Sequence, residues 1–136
     1  QEAAAYLYGT KLVEQDKVFL MHNAIDTKKF AFDENVRAQM RKELSVEDAF
    51  CIGHLGRFTE QKNPLFLIDV FKEVSEKRQD AVLVMLGEGP LMEETKAKVK
   101  EYNLNGKVKF VGSVTNPEQY YQAMDVFFLP SLYGIV

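Results

Sequence analysis

The chain has 136 residues, one cysteine and a net charge of −3, and 46% of its residues are hydrophobic. This length fits one domain with a genuine core, and the composition is that of an ordinary globular protein. The charge leaves no basic surface for nucleic acid or for a polybasic membrane contact. The lone Cys51 excludes an internal disulfide and a cysteine-based zinc site. We therefore expect a reducing, cytoplasmic setting, with no membrane span and no signal peptide.

Apolar patterning predicts strands and helices that alternate along the chain. Near-continuous apolar runs at 50–55 and 81–86 are typical of strands buried in a parallel sheet, whereas apolar residues at every fourth position from Val36 to Leu44 indicate a helix. The segment 17–25 is predicted to be a short strand at 18–21 that runs into a turn at Asn23, and the other predicted strands are 50–55, 81–86, 107–111 and 125–129. The predicted helices are the end of one over 1–9, then 34–44 with Asp33 as its cap, 64–77, 91–102 and a short one from Pro117.

Three of these helices are predicted to open at a proline, namely Pro64, Pro90 and Pro117, each preceded by Asn or Gly. Proline is tolerated at the first helical position because its missing N–H has no helical partner there, and Asn or Gly before it can cap the helix. The repeated strand–loop–helix plan predicts an α/β fold with a doubly wound, mainly parallel, Rossmann-like sheet. About four core strands are few for such a sheet, so we expect an incomplete sheet that is prone to associate.

The loop after the strand 50–55 carries two cations, Arg57 and Lys62, just before a helix. Ligands of such sheets bind outside the carboxyl ends of the strands, and a guanidinium fork, an ammonium and a helix N-terminus together suit a diphosphate. The alternative is that both cations are simply solvated in a surface loop. The sequence pattern leaves the two interpretations open.

The other polar residues near strand ends give weaker signals. The loop Gly87-Glu88-Gly89-Pro90 lets backbone approach a ligand closely, but it lacks the spacing of a phosphate or dinucleotide fingerprint, and the pattern alone favours a simple tight turn. His54 is expected to be a partly buried histidine rather than a catalyst, and no metal site is predicted. Asp125 lies beside a strand and has no evident partner in the sequence.

These motifs together resemble the nucleotide-sugar-binding, C-terminal half of family 4 glycosyltransferases, which are retaining enzymes of the GT-B fold. The resemblance covers most of the chain, and the sequences of its motifs are most similar to those of enzymes of capsular polysaccharide and exopolysaccharide biosynthesis. The matching segments are HNAID at 22–26, GHLGRFTEQKNP at 53–64, LVMLGEGPL at 83–91, VKFVGSV at 108–114 and AMDVFFLPSLYG at 123–134.

The resemblance implies a role for each matching position. Arg57 and Lys62 would hold the donor diphosphate and stabilise the leaving group electrostatically as the glycosidic bond breaks. The implied donor is a nucleotide-sugar, expected to be a UDP-sugar, with no cofactor and no metal. The donor cleft would be bordered by Gly56, Gly87, Glu88, Gly89, Val111, Gly112, Pro130 and Ser131.

The chain departs from the family pattern after Ser131. The family continues Pro-Ser-x-x-Glu-Gly and has a second glutamate eight positions later, and these carboxylates contact the donor sugar and the ribose. Here Gly134 follows Tyr133 directly, so the first glutamate is absent. We expect an interdomain segment and first strand over 1–33 and a partial donor-binding domain over 34–136. Without the N-terminal acceptor domain, no catalytic set is complete, and transfer by this chain alone is not expected.

Three functional hypotheses follow from these patterns. The leading one is a fragment of a glycosyltransferase that moves a sugar from a nucleotide-sugar to a glycan or lipid-linked acceptor, in a full-length enzyme associated peripherally with the inner face of the membrane. The second is a non-catalytic α/β interaction module with no nucleotide binding. The third, a nicotinamide or flavin domain, is disfavoured because the first strand–helix loop lacks G-x-G-x-x-G.

Overall fold

The computed structural model describes residues 6, 9, 10 and 22–134. Its regular elements, numbered within those residues, alternate between strands and helices. The strands are β1 (Phe50–Leu55), β2 (Ala81–Leu86), β3 (Val108–Gly112) and β4 (Val126–Phe127). The α-helices are α1 (Glu34–Glu43), α2 (Pro64–Lys77), α3 (Met92–Glu101) and α4 (Pro117–Ala123), and a short 3-10 helix spans Glu60–Lys62.

The predicted elements within 34–123 are confirmed, with bounds that differ by about one residue. The predicted helix end over 1–9 and most of the predicted strand 17–25 lie outside the described residues. Residues 22–25, where that strand is predicted to run into a turn at Asn23, are neither helix nor strand. The proposed boundary between an interdomain segment over 1–33 and a domain over 34–136 therefore stays a prediction.

The four strands form one parallel sheet in the order β3-β2-β1-β4. β1 and β2 pair along their whole length, from Phe50 opposite Ala81 to Leu55 opposite Leu86. Because all strands run the same way, the loops that follow them meet at one edge of the sheet. The prediction of a parallel α/β sheet is confirmed, and this carboxyl edge is where a ligand is expected.

Helices cover both faces of the sheet, as the continuous apolar strands predicted. Ile52 and Met85 belong to a buried cluster with Phe71 of α2 and Val99 of α3. On the opposite face, Cys51, Val84 and Leu86 form a second cluster with Val46, to which Leu44 and Tyr120 add partly buried contacts. Successive strand residues thus point to opposite layers, and the doubly wound architecture is confirmed.

The predicted helix start at Gly89-Pro90 is wrong. The Met92 amide donates to the Gly89 carbonyl at 3.0 Å and so closes a turn over these residues. The Leu91 amide donates to the Phe58 carbonyl at 3.0 Å. The Thr95 amide donates to the Leu91 carbonyl at 2.9 Å, so Leu91 is the cap residue and α3 begins at Met92. The other two proline starts are confirmed, although neither Asn63 nor Asn116 caps its helix through its side chain.

The last strand is shorter than the predicted span 125–129. The Phe128 amide still donates to the Gly53 carbonyl at 2.8 Å. The Phe128 carbonyl, however, accepts a hydrogen bond from the ring of His54 at 3.0 Å rather than from a neighbouring strand. Pro130 follows and has no N–H to donate. The paired part of β4 is therefore limited to Val126–Phe127.

Asp125 has partners, contrary to the expectation from sequence. Its carboxylate accepts from the Cys51 amide at 2.7 Å and forms ion pairs with Arg37 and Arg41 of α1. The Arg41 guanidinium also donates to the Ala123 carbonyl at 2.8 Å. This network fastens α1 to the start of β4. The predicted cap of α1 is confirmed, since Asp33 Oδ1 accepts from two amides of the first turn.

Candidate functional site

The loops after β1, β2 and β3 are joined by backbone hydrogen bonds at the carboxyl edge of the sheet. The Gly56 amide donates to the Leu86 carbonyl at 3.0 Å, and the Phe58 amide donates to the Glu88 carbonyl at 3.0 Å. The Gly87 amide donates to the Gly112 carbonyl at 2.8 Å. The predicted site residues in these loops are therefore neighbours in space, held by fixed backbone rather than by mobile side chains.

Two glycines allow this close contact between loops. Gly87 has a φ of +119°, and a Cβ built on it would lie 2.1 Å from the Gly56 carbonyl oxygen. A Cβ on Gly89 would lie 2.5 Å from the Phe58 carbonyl oxygen. Any side chain at these positions would push the loops apart. The glycine-rich loop is thus a tight backbone junction, and it also forms one wall of the pockets beside it.

Two open pockets lie side by side on this edge. The first has a volume of about 510 Å³. The second, of about 550 Å³, shares Glu88 and Gly89 with the first. The first is lined by Arg57, Gly87, Glu88, Gly89 and Ser113. The second is lined by Glu88, Gly89, Met92, Glu93, Lys96, Phe110, Val111 and Gly112.

The structure brings six predicted site residues into these two pockets. Ser113 also lines the first pocket and was not predicted, although its position directly after Gly112 follows from the same strand-end rule. Glu93, Lys96 and Phe110 were missed because their contribution depends on how α3 and β3 pack. The six predicted residues are Arg57, Gly87, Glu88, Gly89, Val111 and Gly112.

Arg57 and Lys62 both have charged groups free of ion pairs within the described residues. Arg57 is exposed and Lys62 is partly buried. Lys62 lies beside Gly56, because a Cβ on that glycine would be 3.6 Å from the Lys62 Cγ. The first turn of α2, which follows this loop, carries no acidic residue. The N-terminal end of α2 therefore adds a partial positive charge beside these two cations, while Glu60 lies in the same loop and Glu88 lines the first pocket.

Pro130 and Ser131 do not line either pocket. They follow β4 in a segment that the short helix Glu60–Lys62 anchors: the Leu132 amide donates to the Gln61 carbonyl at 2.9 Å, and the Gln61 side chain donates to the Tyr133 carbonyl at 3.1 Å. Both predicted residues therefore lie close to the cation-bearing loop rather than in its pockets. Their roles stay predictions.

His54 is fully buried at the end of β1, not partly buried as expected. Its Nδ1 lies 3.0 Å from the Phe128 carbonyl oxygen. Burial lowers the pKa of His54; the Phe128 hydrogen bond opposes this effect, and the charge of Lys62 lowers the pKa further. The ring is therefore neutral at neutral pH. Its other nitrogen, Nε2, is buried with no hydrogen-bond partner among the described residues.

The part of the chain that the structure describes contains neither a candidate metal centre nor a membrane-spanning helix. No group of three or more His, Cys, Asp or Glu side chains there is placed to hold a metal ion. No helix there has the length and apolar character that crossing a membrane requires.

Comparison with known families gives a match over most of the chain. The family described as "Glycosyl transferases group 1" matches residues 35–134. The chain is 31% identical over 134 residues to EpsF of Bacillus subtilis (strain 168), which is provisionally named a glycosyltransferase. It is 31% identical over 125 residues to an Escherichia coli UDP-Gal:alpha-D-GlcNAc-diphosphoundecaprenol alpha-1,3-galactosyltransferase. These matches cover 98% and 89% of this chain but 35% and 32% of the relatives.

A solved structure has the same fold. HepE from Anabaena, crystallised in complex with UDP, superposes with a TM-score of 0.76 at 20% sequence identity. The superposition covers 85% of this chain and 32% of the HepE chain. The chain thus spans about a third of the length of the proteins that it matches.

Proposed function

Because this chain belongs to the glycosyl transferases group 1 family, we propose that its carboxyl-edge loops bind the diphosphate of a nucleotide-sugar donor, specifically a UDP-sugar. The observation that carries the proposal is the placement of Arg57 in a pocket walled by glycine backbone, with Lys62 in the same loop. Both cations lack ion pairs among the described residues, so they are available to an anion.

The diphosphate suits the first pocket on chemical grounds. The Arg57 guanidinium presents a planar fork of N–H donors to phosphate oxygens, and the Lys62 ammonium adds a mobile positive charge. Both cations would stabilise the negative charge that develops on the leaving diphosphate as the sugar departs. The glycine-rich loop lets the ligand approach the backbone without meeting a side chain.

The remaining parts of the donor suit the neighbouring groups. The second pocket continues directly from the first through Glu88 and Gly89, and its lining by Phe110 and Val111 offers apolar surface to a base. The Glu88 carboxylate accepts hydrogen bonds only, so it suits a hydroxyl of the ribose or sugar rather than the phosphates. A UDP donor is supported by HepE, which was crystallised with UDP, and by the Escherichia coli relative named for UDP-Gal.

The full-length protein, in this proposal, is a glycosyltransferase of polysaccharide biosynthesis that acts in the cytoplasm, associated peripherally with the inner face of the membrane. Its acceptor would be a glycan or a lipid-linked sugar held by an N-terminal domain of the same enzyme. This is consistent with the chain spanning 35% of EpsF and 32% of the Escherichia coli enzyme. Transfer needs both domains, so the chain alone is expected to bind the donor without turnover.

The proposal is tested by titrating the 136-residue chain with UDP in a calorimeter and repeating the titration with single variants. We expect a Kd for UDP of about 0.1–1 mM. Binding is expected to be weak because two cations contact the ligand and the two glutamates of the family pattern do not. Arg57→Ala should weaken binding about tenfold, as the loss of charge-assisted hydrogen bonds implies. Arg57→Lys should lose less, because the charge is kept and only the planar fork is removed.

A matched control is available on the helix that follows the loop. Lys62→Ala should weaken UDP binding, whereas Lys77→Ala should leave it unchanged, because Lys77 is exposed at the far end of the 14-residue helix α2, about 20 Å away. If the two lysine variants weaken UDP binding equally, the effect comes from the overall charge of the protein, and this result would contradict a specific site at Lys62. Absence of UDP binding by the wild-type chain would favour the interaction-module alternative.

A further inference from the structure

Among the described residues, one ring nitrogen of His54 has a hydrogen-bond partner and the other has none, and the geometry identifies each of them. Nδ1 is 3.0 Å from the Phe128 carbonyl oxygen. Because a carbonyl oxygen can only accept, Nδ1 carries the proton and donates it there. In a neutral imidazole the other nitrogen, Nε2, is then a hydrogen-bond acceptor with a lone pair.

This acceptor is unsatisfied in an interior where nearly all buried polar atoms have partners. His54 is 0% exposed, and Nε2 has no hydrogen bond among the described residues. The ring is held on its other sides, by the Phe128 carbonyl and by an edge-on contact with Phe58 at 6.4 Å between ring centroids. The unsatisfied nitrogen is therefore fixed in direction.

Nε2 points to the floor of the cation-bearing loop. A Cβ placed on Gly56 would lie 3.2 Å from Nε2 and 3.6 Å from the Lys62 Cγ. His54 Nε2, Gly56 and the aliphatic part of the Lys62 side chain therefore lie next to one another. Because glycine has no side chain, the space between Nε2 and the lysine is open. Lys62 has the complementary group, an ammonium with three donors and no ion pair among the described residues.

We propose that His54 is a positioning residue for the donor site: its Nε2 accepts a hydrogen bond from the Lys62 ammonium and directs that ammonium toward the bound diphosphate. This inference rests on the proposed function, because it specifies how one of the two cations is held. His54 does not contact the ligand in this arrangement. It acts through Lys62 and links the lysine to the backbone at Phe128, just after β4.

The test is a double-mutant cycle on UDP binding by the 136-residue chain, with His54→Asn and Lys62→Ala. An asparagine places an amide N–H near the position of Nδ1, so it keeps a donor for the Phe128 carbonyl, but it has no atom at the position of Nε2. We expect His54→Asn to raise the Kd for UDP about tenfold, the factor of a hydrogen bond to a charged group. In the Lys62→Ala background the same substitution should have no further effect.

A second variant perturbs the same contact without changing the histidine. Gly56→Ala would place a methyl group 3.2 Å from Nε2, between the two partners. It should raise the Kd for UDP in the wild-type background and not in the Lys62→Ala background. The matched control is Gly106→Ala, where a Cβ meets nothing within 4 Å and UDP binding should not change. If His54→Asn lowers stability too far to be measured, the Gly56 and Lys62 pair provides the same cycle.

The outcomes separate this inference from the function on which it rests. Absence of UDP binding by the wild-type chain contradicts the proposed function and removes the role of His54 with it. UDP binding that His54→Asn and Gly56→Ala weaken equally with and without Lys62 contradicts the positioning role alone, because a purely structural histidine gives additive effects. If both substitutions weaken UDP binding in the wild-type background but not in the Lys62→Ala background, the effects are non-additive and support the positioning role.

Discussion

At the scale of single residues, Asp125 shows how a charge becomes structural through partners far away in the sequence. Burial alone would raise the pKa of Asp125, but the Cys51 amide and the guanidinium groups of Arg37 and Arg41 outweigh it, and the pKa is lowered. The carboxylate thus remains ionised in the folded protein and holds α1 against the sheet. This network serves the fold, and the proposed donor site involves other cations, Arg57 and Lys62.

The first prediction at this scale concerns the Asp125 network. Asp125→Asn should lower the free energy of unfolding by about 1–3 kcal/mol, because it leaves partly buried donors without a charged acceptor. The measurement is urea unfolding followed by circular dichroism. The control is Asp80→Asn, since the pair of Asp80 with Arg78 is about half exposed, with side chains 48% and 52% accessible, and such pairs contribute about 0–1 kcal/mol. Equal losses in both variants would contradict the structural role of Asp125.

The same carboxylate predicts a pH dependence with a definite sign. A carboxyl group whose pKa is lower in the folded state stabilises the protein above its unfolded pKa, and this contribution disappears as the pH falls through the folded value. The stability difference between wild type and Asp125→Asn should therefore be constant above the ordinary carboxyl pKa of 3.8 and should shrink at lower pH. A difference that grows on acidification would contradict the arrangement.

At the scale of elements, the loops after the strands form the candidate site, and backbone packing fixes their shape. The Gly87 loop after β2 contacts the Gly56 loop after β1 so closely that no side chain fits between them. The two pockets lie against this junction. The geometry of the candidate site therefore depends on glycine positions as much as on the cations.

The prediction at this scale is a difference between two glycine variants. Gly87→Ala should lower the free energy of unfolding by about 1–3 kcal/mol through backbone strain, because its φ is +119° and its Cβ would meet the Gly56 carbonyl oxygen at 2.1 Å. It should also weaken UDP binding. Gly106→Ala should be neutral or slightly stabilising, since the space there is open and the unfolded chain loses freedom. Thermal unfolding of both variants checks this, and equal stabilities would contradict the tight junction.

Particular elements show which parts of the structure could be predicted from the sequence. The strands β1 and β2 and the helix α2 were predictable because their apolar periodicity is local. The late start of α3 was not, since it depends on the Leu91 amide donating to Phe58, a residue of another loop. For the same reason the sequence did not reveal the partners of Asp125, which lie 74, 84 and 88 positions away in the chain. The placement of Arg57 with the glycine loop followed from the strand-end rule alone.

At the scale of the whole molecule, the described residues form one parallel sheet that carries its candidate site on a single edge. The chain matches about a third of each relative, so the site is one side of a larger active site in the proposed full-length enzyme. Donor binding is therefore proposed for this chain, whereas sugar transfer is proposed for the two domains together.

The most direct test of donor binding is a titration of the isotopically labelled chain with UDP, followed by amide chemical shifts, with AMP as the control nucleotide. The account predicts shifts that are larger for UDP than for AMP and concentrated at Arg57, Lys62, the 87–89 loop and the 111–113 segment. Shifts confined to the opposite edge of the sheet, or no shifts at several millimolar UDP, would contradict the claim that these loops form the donor site of this chain.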